Sequence, residues 1–311
     1  MAAVRPPTPG RLFDLGRWIW EEALRESLPP ENPEVLRALS ALLWRIGAWS
    51  KPNRRAVMVE EIRRCFGLNV RTAESIAREA HDTTLQARIE MLLSPRIVDF
   101  SPYILIEGDF PEGALLLHPS VAAVPLLRAA LARRWPGRVV FRAQGLPVGG
   151  TGPWRDTFIN RQALRRRSEE EAALPILWED RPEMLERHLQ EGRRVITAFD
   201  DRFLPDALPV PFLGRKARIS LTPWLAAQRS GAPICAVLAA RERDRRVRAL
   251  LNPLPKGMGL SDWLREGLEP WLRDHPGSYA MWLAECRIRA GTDDHPFFMD
   301  YSGMASGEGD G

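Results

Sequence analysis

From about residue 103 onward, short apolar runs alternate with longer amphipathic segments, and this alternation constrains the fold more than any other feature. Apolar runs typical of strands occur at 103–107, 114–117, 138–142, 194–198, 234–239 and 246–251. Segments typical of helices lie near 120–134, 156–172, 180–191, 221–230 and 261–274. Such an alternation predicts an α/β domain with a mostly parallel central sheet flanked by helices.

The region before this domain has the pattern of helices alone. Apolar side chains recur at helical spacing over 12–23 and again over 36–46, with tryptophans beside both stripes. These stripes fit a helix packed on a core and fit equally a helix lying at a membrane interface. Two further helices are expected, one near 53–66 and one from a cap at Thr72 to about Leu93.

Prolines and composition divide the chain into three parts. Pro95 and Pro102 follow the last N-terminal helix, and the final residues are small and polar. We therefore expect a helical N-terminal region over 1–100, an α/β core over 101–291 and a flexible C-terminal tail over 292–311.

Charge and composition exclude several classes of protein. The net charge is +4, but basic and acidic side chains are interleaved, so no nucleic-acid-binding arm is expected. No apolar run reaches about 18 residues, and the N-terminus lacks the apolar core of a secretion signal. Three widely spaced cysteines form neither a disulfide framework nor a zinc motif. We expect a cytoplasmic protein, soluble or peripheral on a membrane, that needs no cofactor.

His118 is the first candidate for chemistry. It follows the apolar run 114–117 and precedes a helical segment, which predicts that it lies at the carboxyl end of a strand. Ligands of open α/β sheets bind beyond that edge. A buried histidine with a purely structural role would fit the same position.

The order of features over roughly residues 35–290 resembles the bacterial lipid A biosynthesis acyltransferases, within the lysophospholipid acyltransferase superfamily. The segments that carry the resemblance are IEGDFPEGALLLH (106–118), VVFRAQ (139–144), FINRQALRRR (158–167), LQEGRRVITAFDDRFLPDALPVPFLGRKA (189–217), LAAQRSGAPICAV (225–237) and HPGSYAMWLAECR (275–287). Their order and spacing together are more specific than any one of them.

The resemblance implies transfer of a fatty acyl group from acyl carrier protein or coenzyme A to a lipid hydroxyl. It also implies an α/β acyltransferase core in which a histidine acts as the general base and removes the proton of the hydroxyl. A carboxylate five residues later orients that histidine, following the logic of serine-hydrolase triads. Arginines then bind phosphate through their planar, forked guanidinium groups.

This sequence departs from the family motif at the carboxylate. The segment reads His118-Pro-Ser-Val-Ala-Ala123, so Ala123 occupies the position of the acid. A His-x4-Asp pattern does occur at His295 to Asp300, but it lies past the last family-like element, and chance accounts for it. Loss of the orienting acid lowers the rate of the well-studied protease triad by about 10⁴.

Other residues are candidates for substrate binding. Arg142, at the end of a predicted strand, and Arg161 and Arg165, one helical turn apart, are candidate phosphate contacts. Gly214 and Arg215, with Lys216, are candidates for contact with an anionic headgroup. Asp200 follows a predicted strand and is either part of the site or the cap of a turn. For each arginine the alternative is a solvated surface position.

Three interpretations stay open. The chain is a non-catalytic descendant of the acyltransferases that binds membrane lipid or docks on a membrane protein complex, at the inner face of the cell membrane. Alternatively, it is an active acyltransferase in which a backbone carbonyl, Asp109 or Asp200 orients His118. The third interpretation is an unrelated α/β enzyme. A carboxylate within hydrogen-bond reach of His118 would favour activity.

Overall fold

The computed structural model describes residues 52–121, 123–142, 176–177, 182–200, 207–242, 244, 246–282 and 297–299, and the isolated positions 27, 35 and 38. The helices are α1 (Pro52–Phe66), α2 (Val70–Leu93), α3 (Val124–Arg134), α4 (Pro182–Gln190), α5 (Thr222–Ser230), α6 (Leu260–Trp263) and α7 (Glu269–Asp274). A π-helical segment, Leu264–Leu268, joins α6 to α7. Short 3₁₀ helices cover Ser94–Arg96 and Pro276–Ser278.

The strands are β1 (Ile104–Glu107), β2 (Leu115–His118), β3 (Val139–Arg142), β4 (Ile176–Leu177), β5 (Arg194–Ala198), β6 (Ala207–Phe212), β7 (Arg215–Ser220), β8 (Ile234–Arg241) and β9 (Val247–Pro253). Within the described residues, seven of them form one sheet in the order β1-β9-β8-β2-β5-β3-β4. All neighbours in this sheet are parallel except β8 and β9. The expectation of an α/β fold with a mostly parallel sheet is confirmed.

Strands β6 and β7 form a separate antiparallel hairpin that the sequence does not predict. Its turn consists of Leu213 and Gly214, with φ values of 52° and 73°. Two successive positive φ values are typical of the tight turns whose twist matches that of paired strands. Pro209 and Pro211 conceal the first strand in the sequence, because proline cannot donate to a ladder and is confined to edge strands.

Helices α1 and α2 pack on the same core as the sheet. Val57, Met58 and Ile62 of α1 belong to a cluster that also contains Leu115 and Leu117 of β2. Two buried ion pairs add to this packing, Glu61 of α1 with Arg215 of β7 and Glu90 of α2 with Arg241 of β8.

The N-terminal cap of α2 differs from the expected one. The sequence predicts a cap at Thr72, but the side chain of Asn69 accepts a hydrogen bond from the Thr72 backbone N–H at 2.9 Å. Asparagine is among the best N-cap residues because its short side chain reaches the free amides of the first turn. The helix therefore begins two residues earlier than the cap that the sequence suggests.

Residues 297–299 lie on β7, within the segment that the sequence predicts to be a flexible tail. Phe297 and Phe298 are both fully buried, and Phe298 pairs with Ala217. Two adjacent phenyl rings supply enough apolar area to hold a short segment on the core. These three residues are therefore placed on β7, and the expected domain boundaries stay a prediction.

Among the described residues, no helix combines the length and apolar character needed to cross a membrane.

Candidate functional site

His118 is the last residue of β2, as the sequence predicts, and lies opposite Ala198 at the end of β5. Leu115 and Leu117 face the core cluster that contains α1, while Leu116 faces the cluster that contains α3. Because side chains alternate along a strand, the imidazole lies on the α3 face. The chain thus places one titratable ring at the carboxyl edge of the central strands.

The imidazole of His118 is enclosed in the protein. Its residue exposure is 2%, and the described hydrogen-bond partner of Nδ1 is the carbonyl oxygen of Pro119 at 2.8 Å. Nε2 is buried and has no hydrogen-bond partner among the described residues. Burial, followed by the positive charge of Arg128, lowers the pKa of His118 from 6.5 to about 3, against a smaller opposing effect of the Pro119 carbonyl.

These contacts determine which nitrogen of His118 carries the proton. A carbonyl oxygen only accepts hydrogen bonds, so Nδ1 is the protonated nitrogen and Nε2 presents a lone pair. At neutral pH the ring is uncharged and therefore in the form that a general base requires. With 2% exposure, however, that lone pair is shielded from solvent.

No described hydrogen bond or ion pair joins the ring of His118 to either acid considered as an orienting group. Both oxygens of Asp200 accept hydrogen bonds from the Ser120 backbone N–H, at 3.0 and 2.9 Å, and Oδ1 also accepts one from the Ser120 hydroxyl at 2.7 Å. The carboxylate of Asp109 accepts a hydrogen bond from the Phe110 backbone N–H. Asp200 therefore caps the loop after His118, which agrees with the alternative of a turn cap.

Position 123, where the resemblance implies an acid, is a buried alanine. Ala123 is 2% exposed and precedes the first residue of α3, where its side chain offers no cap to the helix. A carboxylate at a helix N-terminus would be stabilised by the free amides and the helix dipole. The structure puts only a methyl group there.

The loop between His118 and α3 is fixed from the opposite side as well. The Ala280 backbone N–H donates to the carbonyl of Ser120 at 2.7 Å, and Val121 forms a bridge with Tyr279. With Asp200 on one side and 279–280 on the other, the loop is held by backbone and charged contacts. The sequence gives no signal for Tyr279 or Ala280 in this role, because they lie about 160 residues further along the chain.

Of the other predicted site residues, Arg142, Gly214 and Arg215 fall within the described part of the chain, on or beside strands other than β2. Arg142 ends β3, and its backbone is paired with Leu177 of β4. Arg161 and Arg165 lie outside the described residues. Gly214 forms the hairpin turn, and Arg215 is buried. No described contact joins any of them to His118.

The guanidinium of Arg215 lies inside the protein. Its guanidinium forms an ion pair with Glu61, lies 3.7 Å from the Cys65 sulfur and stacks on the Phe298 ring with 4.1 Å between guanidinium carbon and ring centroid. In this arrangement the charge faces the interior of the protein. Its predicted contact with a headgroup stays a prediction.

The described residues offer little support for a thiol nucleophile or a metal site. Burial raises the pKa of the Cys235 thiol to about 12, so it is not a thiolate nucleophile at neutral pH. Among the described residues, no group of three or more His, Cys, Asp or Glu side chains is placed to hold a metal ion. His118 remains the residue around which a site is best defined.

No known family model matches this chain, and no curated protein matches it.

Proposed function

We propose that this protein is an acyltransferase-like subunit that binds lipid or supports a membrane protein complex, and that its acyl-transfer activity is reduced or lost. It acts at the inner face of the cell membrane as a peripheral protein. The mostly parallel sheet, with a histidine at the carboxyl end of a central strand, is compatible with the acyltransferase-like part of this proposal.

The enclosure of His118 is the observation that carries the proposal. A general base has to lie within hydrogen-bond reach of the hydroxyl that it deprotonates. Here the ring is 2% exposed, and its described partner is a carbonyl from the next residue. The residue five positions later, Ala123, can neither orient the ring nor stabilise an imidazolium.

The low pKa of His118 supports the same conclusion. A base that accepts a proton during catalysis becomes imidazolium, and burial together with Arg128 disfavours that charged form. An efficient general base has a pKa near the working pH. A pKa of about 3 is far below any neutral working pH, so proton transfer to this ring is costly.

An acyl-transfer assay combined with vesicle flotation tests the proposal. Labelled acyl-coenzyme A and acyl-acyl carrier protein are offered to the wild type and to His118→Gln. The control variant is His188→Gln, which changes a partly exposed histidine of α4. We expect no transfer that depends on His118, and equal flotation of all three proteins with anionic vesicles. Flotation of none of them would contradict the lipid-binding role.

One observation favours the second candidate, an active acyltransferase. The Pro119 carbonyl fixes the tautomer of His118 with Nε2 unprotonated, which is the work that a carboxylate does in a triad. If this carbonyl replaces the acid, His118→Gln abolishes transfer while His188→Gln retains it. The same assay therefore separates the two candidates.

A further inference from the structure

Arginines gather at the edge of the sheet that is opposite to His118. Strands β2, β3 and β5 are parallel, so the segments that lead into them, 109–113, 133–138 and 187–194, lie side by side at their amino ends. The Gly113 N–H donates to the carbonyl of Gly192, and the Arg194 N–H donates to the carbonyl of Arg138, both at 2.9 Å. We call the surface of these segments the arginine edge, after its residues Arg133, Arg134, Arg138, Arg187, Arg193 and Arg194.

The arginine edge holds more positive than negative charge. Its three segments contain six arginines and three carboxylates, which are Asp109, Glu112 and Glu191. Glu191 accepts a hydrogen bond from Arg187 at 2.8 Å and lies 3.4 Å from Arg193, while Glu112 forms an ion pair with Arg138. The net charge of the whole chain is +4, so the rest of the chain is almost balanced.

Two of these arginines stack on one tryptophan. The guanidinium carbon of Arg134 lies 4.7 Å from the ring centroid of Trp135, and that of Arg194 lies 5.0 Å from it. Arg194 is 7% exposed, and its nearest described carboxylate oxygen, on Glu112, is 3.8 Å from Nη1. A buried charge is screened less than a surface charge, so Arg194 strengthens the positive potential that the exposed arginines present.

The arginine edge exposes its charges and has no exposed apolar centre. The side chains of Arg138 and Arg187 are 66% and 69% exposed, and Arg134 is exposed as well. The exposed large apolar side chains of the described residues all lie elsewhere, at Val70, Val98, Leu105, Leu208, Leu225 and Met299. Stable protein interfaces are built around apolar or aromatic anchors, whereas phosphates bind the forked guanidinium group without one. The surface therefore suits a layer of phosphate head groups better than a protein partner.

We infer that the arginine edge is the surface by which the protein attaches to a membrane, through the phosphates of anionic phospholipids. The inference rests on the proposed peripheral location and adds to it the surface and the orientation of attachment. The negative potential of an anionic membrane attracts arginines that lie near its surface.

Attachment through this edge determines where His118 faces. Strand β5 runs from Arg194 to Ala198, and Ala198 lies opposite His118 at the end of β2. At about 3.3 Å for each residue, the strand carries the chain about 13 Å from the arginine edge. The carboxyl edge of the sheet therefore points away from the bilayer. That orientation agrees with a subunit that meets a partner protein and not with an enzyme that acts on membrane lipid.

Vesicle binding at low salt tests the attachment surface. Vesicles of equal parts of phosphatidylcholine and phosphatidylglycerol, and vesicles of phosphatidylcholine alone, are offered to the wild type and to two triple variants. The edge variant is Arg134→Gln/Arg138→Gln/Arg193→Gln. The control removes the same charge from exposed ion pairs of α1, α2 and the π-helical segment, as Arg63→Gln/Arg78→Gln/Arg265→Gln.

The edge variant should bind the anionic vesicles at least about tenfold more weakly than the wild type, and the control variant should lose less than about threefold. Equal losses in the two variants would overturn the inference, because attraction would then follow total charge. Equal binding of the wild type to both kinds of vesicle would overturn the contact with anionic lipid. Binding to polyglutamate but not to anionic vesicles would assign the surface to an acidic protein instead.

Amide exchange in the wild type tests the orientation without any substitution. With anionic vesicles bound, exchange at Gly137 and Gly192, in the turns of the arginine edge, should slow by about fivefold or more. Exchange at Glu242 and Asp244, beyond the carboxyl end of β8, should stay the same. Slower exchange at Glu242 and Asp244 alone would overturn the orientation.

The outcomes separate this inference from the proposed function. If the wild type and both triple variants float equally with anionic vesicles, the lipid-binding role stands and this inference alone is overturned. Slower exchange at the arginine edge together with acyl transfer that depends on His118 would support the attachment surface and contradict the loss of activity. Wild-type protein that binds neither kind of vesicle would contradict both.

Discussion

The buried, neutral state of His118 should make the stability of the protein depend on pH in a defined window. Its pKa in the folded protein is about 3, against 6.5 for an ordinary histidine, and burial is the main cause. Between these two values the unfolded chain binds a proton that the folded protein excludes. The free energy of unfolding therefore falls as the pH falls from 6.5 towards 3.

The size of the effect follows from the two pKa values. Lowering the pH from 7 to 4 moves the unfolded histidine from mostly neutral to mostly charged, while the folded ring stays neutral. With 1.36 kcal/mol for each pKa unit, this change removes about 3 kcal/mol of stability. A loss of that order is a large fraction of the stability of a typical domain.

Urea unfolding at several pH values measures this contribution. Because carboxylates also titrate in the window, the wild type is compared with His118→Leu, whose side chain is of similar size but cannot bind a proton. The wild type should lose about 3 kcal/mol more than His118→Leu between pH 7 and pH 4. Equal losses in both proteins would refute the assignment of His118 as a buried, neutral ring.

Two further substitutions test the contacts that surround the candidate site and hold the helices to the sheet. Glu90→Gln removes the carboxylate that faces the buried Arg241 guanidinium, so the free energy of unfolding should fall by about 3–5 kcal/mol. Glu107→Gln, in an exposed ion pair at the sheet edge, should change it by less than about 1 kcal/mol. Chemical denaturation measures both variants, and equal effects would contradict the role of burial. Asp200→Asn removes the charge that accepts hydrogen bonds from two donors of Ser120, its hydroxyl and its backbone N–H, which both carboxylate oxygens share. We expect a loss of about 1.5–3 kcal/mol in the free energy of unfolding and faster amide exchange at Ser120. Unchanged exchange would show that other contacts hold the loop.

The central strands β2, β5 and β8 were accessible to sequence reasoning because they are buried on both faces. Such strands appear as continuous apolar runs, and the run 114–117 led to His118 at a strand end without any knowledge of the fold. The hairpin was not accessible in this way. Pro209 and Pro211 lie on its edge strand, where proline is tolerated but removes the usual strand pattern.

The contacts of the candidate site depended on long-range packing. The sequence shows an alanine where the resemblance implies an acid, at position 123. It does not show that the Pro119 carbonyl bonds to the ring of His118. Nor does it show that Tyr279 and Ala280 hold the following loop. These contacts form between segments that are far apart in the chain and come together at one edge of the sheet. Local sequence patterns do not predict such long-range contacts.

Residues 297–299 show what composition alone leaves out. Residues 292–311 end in small polar side chains, and that composition predicts a flexible tail. Two adjacent aromatic residues outweigh it locally, because burial of Phe297 and Phe298 repays the ordering of three residues on β7. Composition averaged over 20 residues conceals a short apolar anchor.

The acyl-transfer assay on purified protein tests the central claim most directly. Labelled acyl-coenzyme A and acyl-acyl carrier protein are offered together with native membrane lipids to the wild type and to His118→Gln. The enclosed ring and the alanine at position 123 predict the same background transfer from both proteins. Transfer by the wild type that is lost in His118→Gln would contradict the proposed function and make the Pro119 carbonyl the orienting group of a working enzyme.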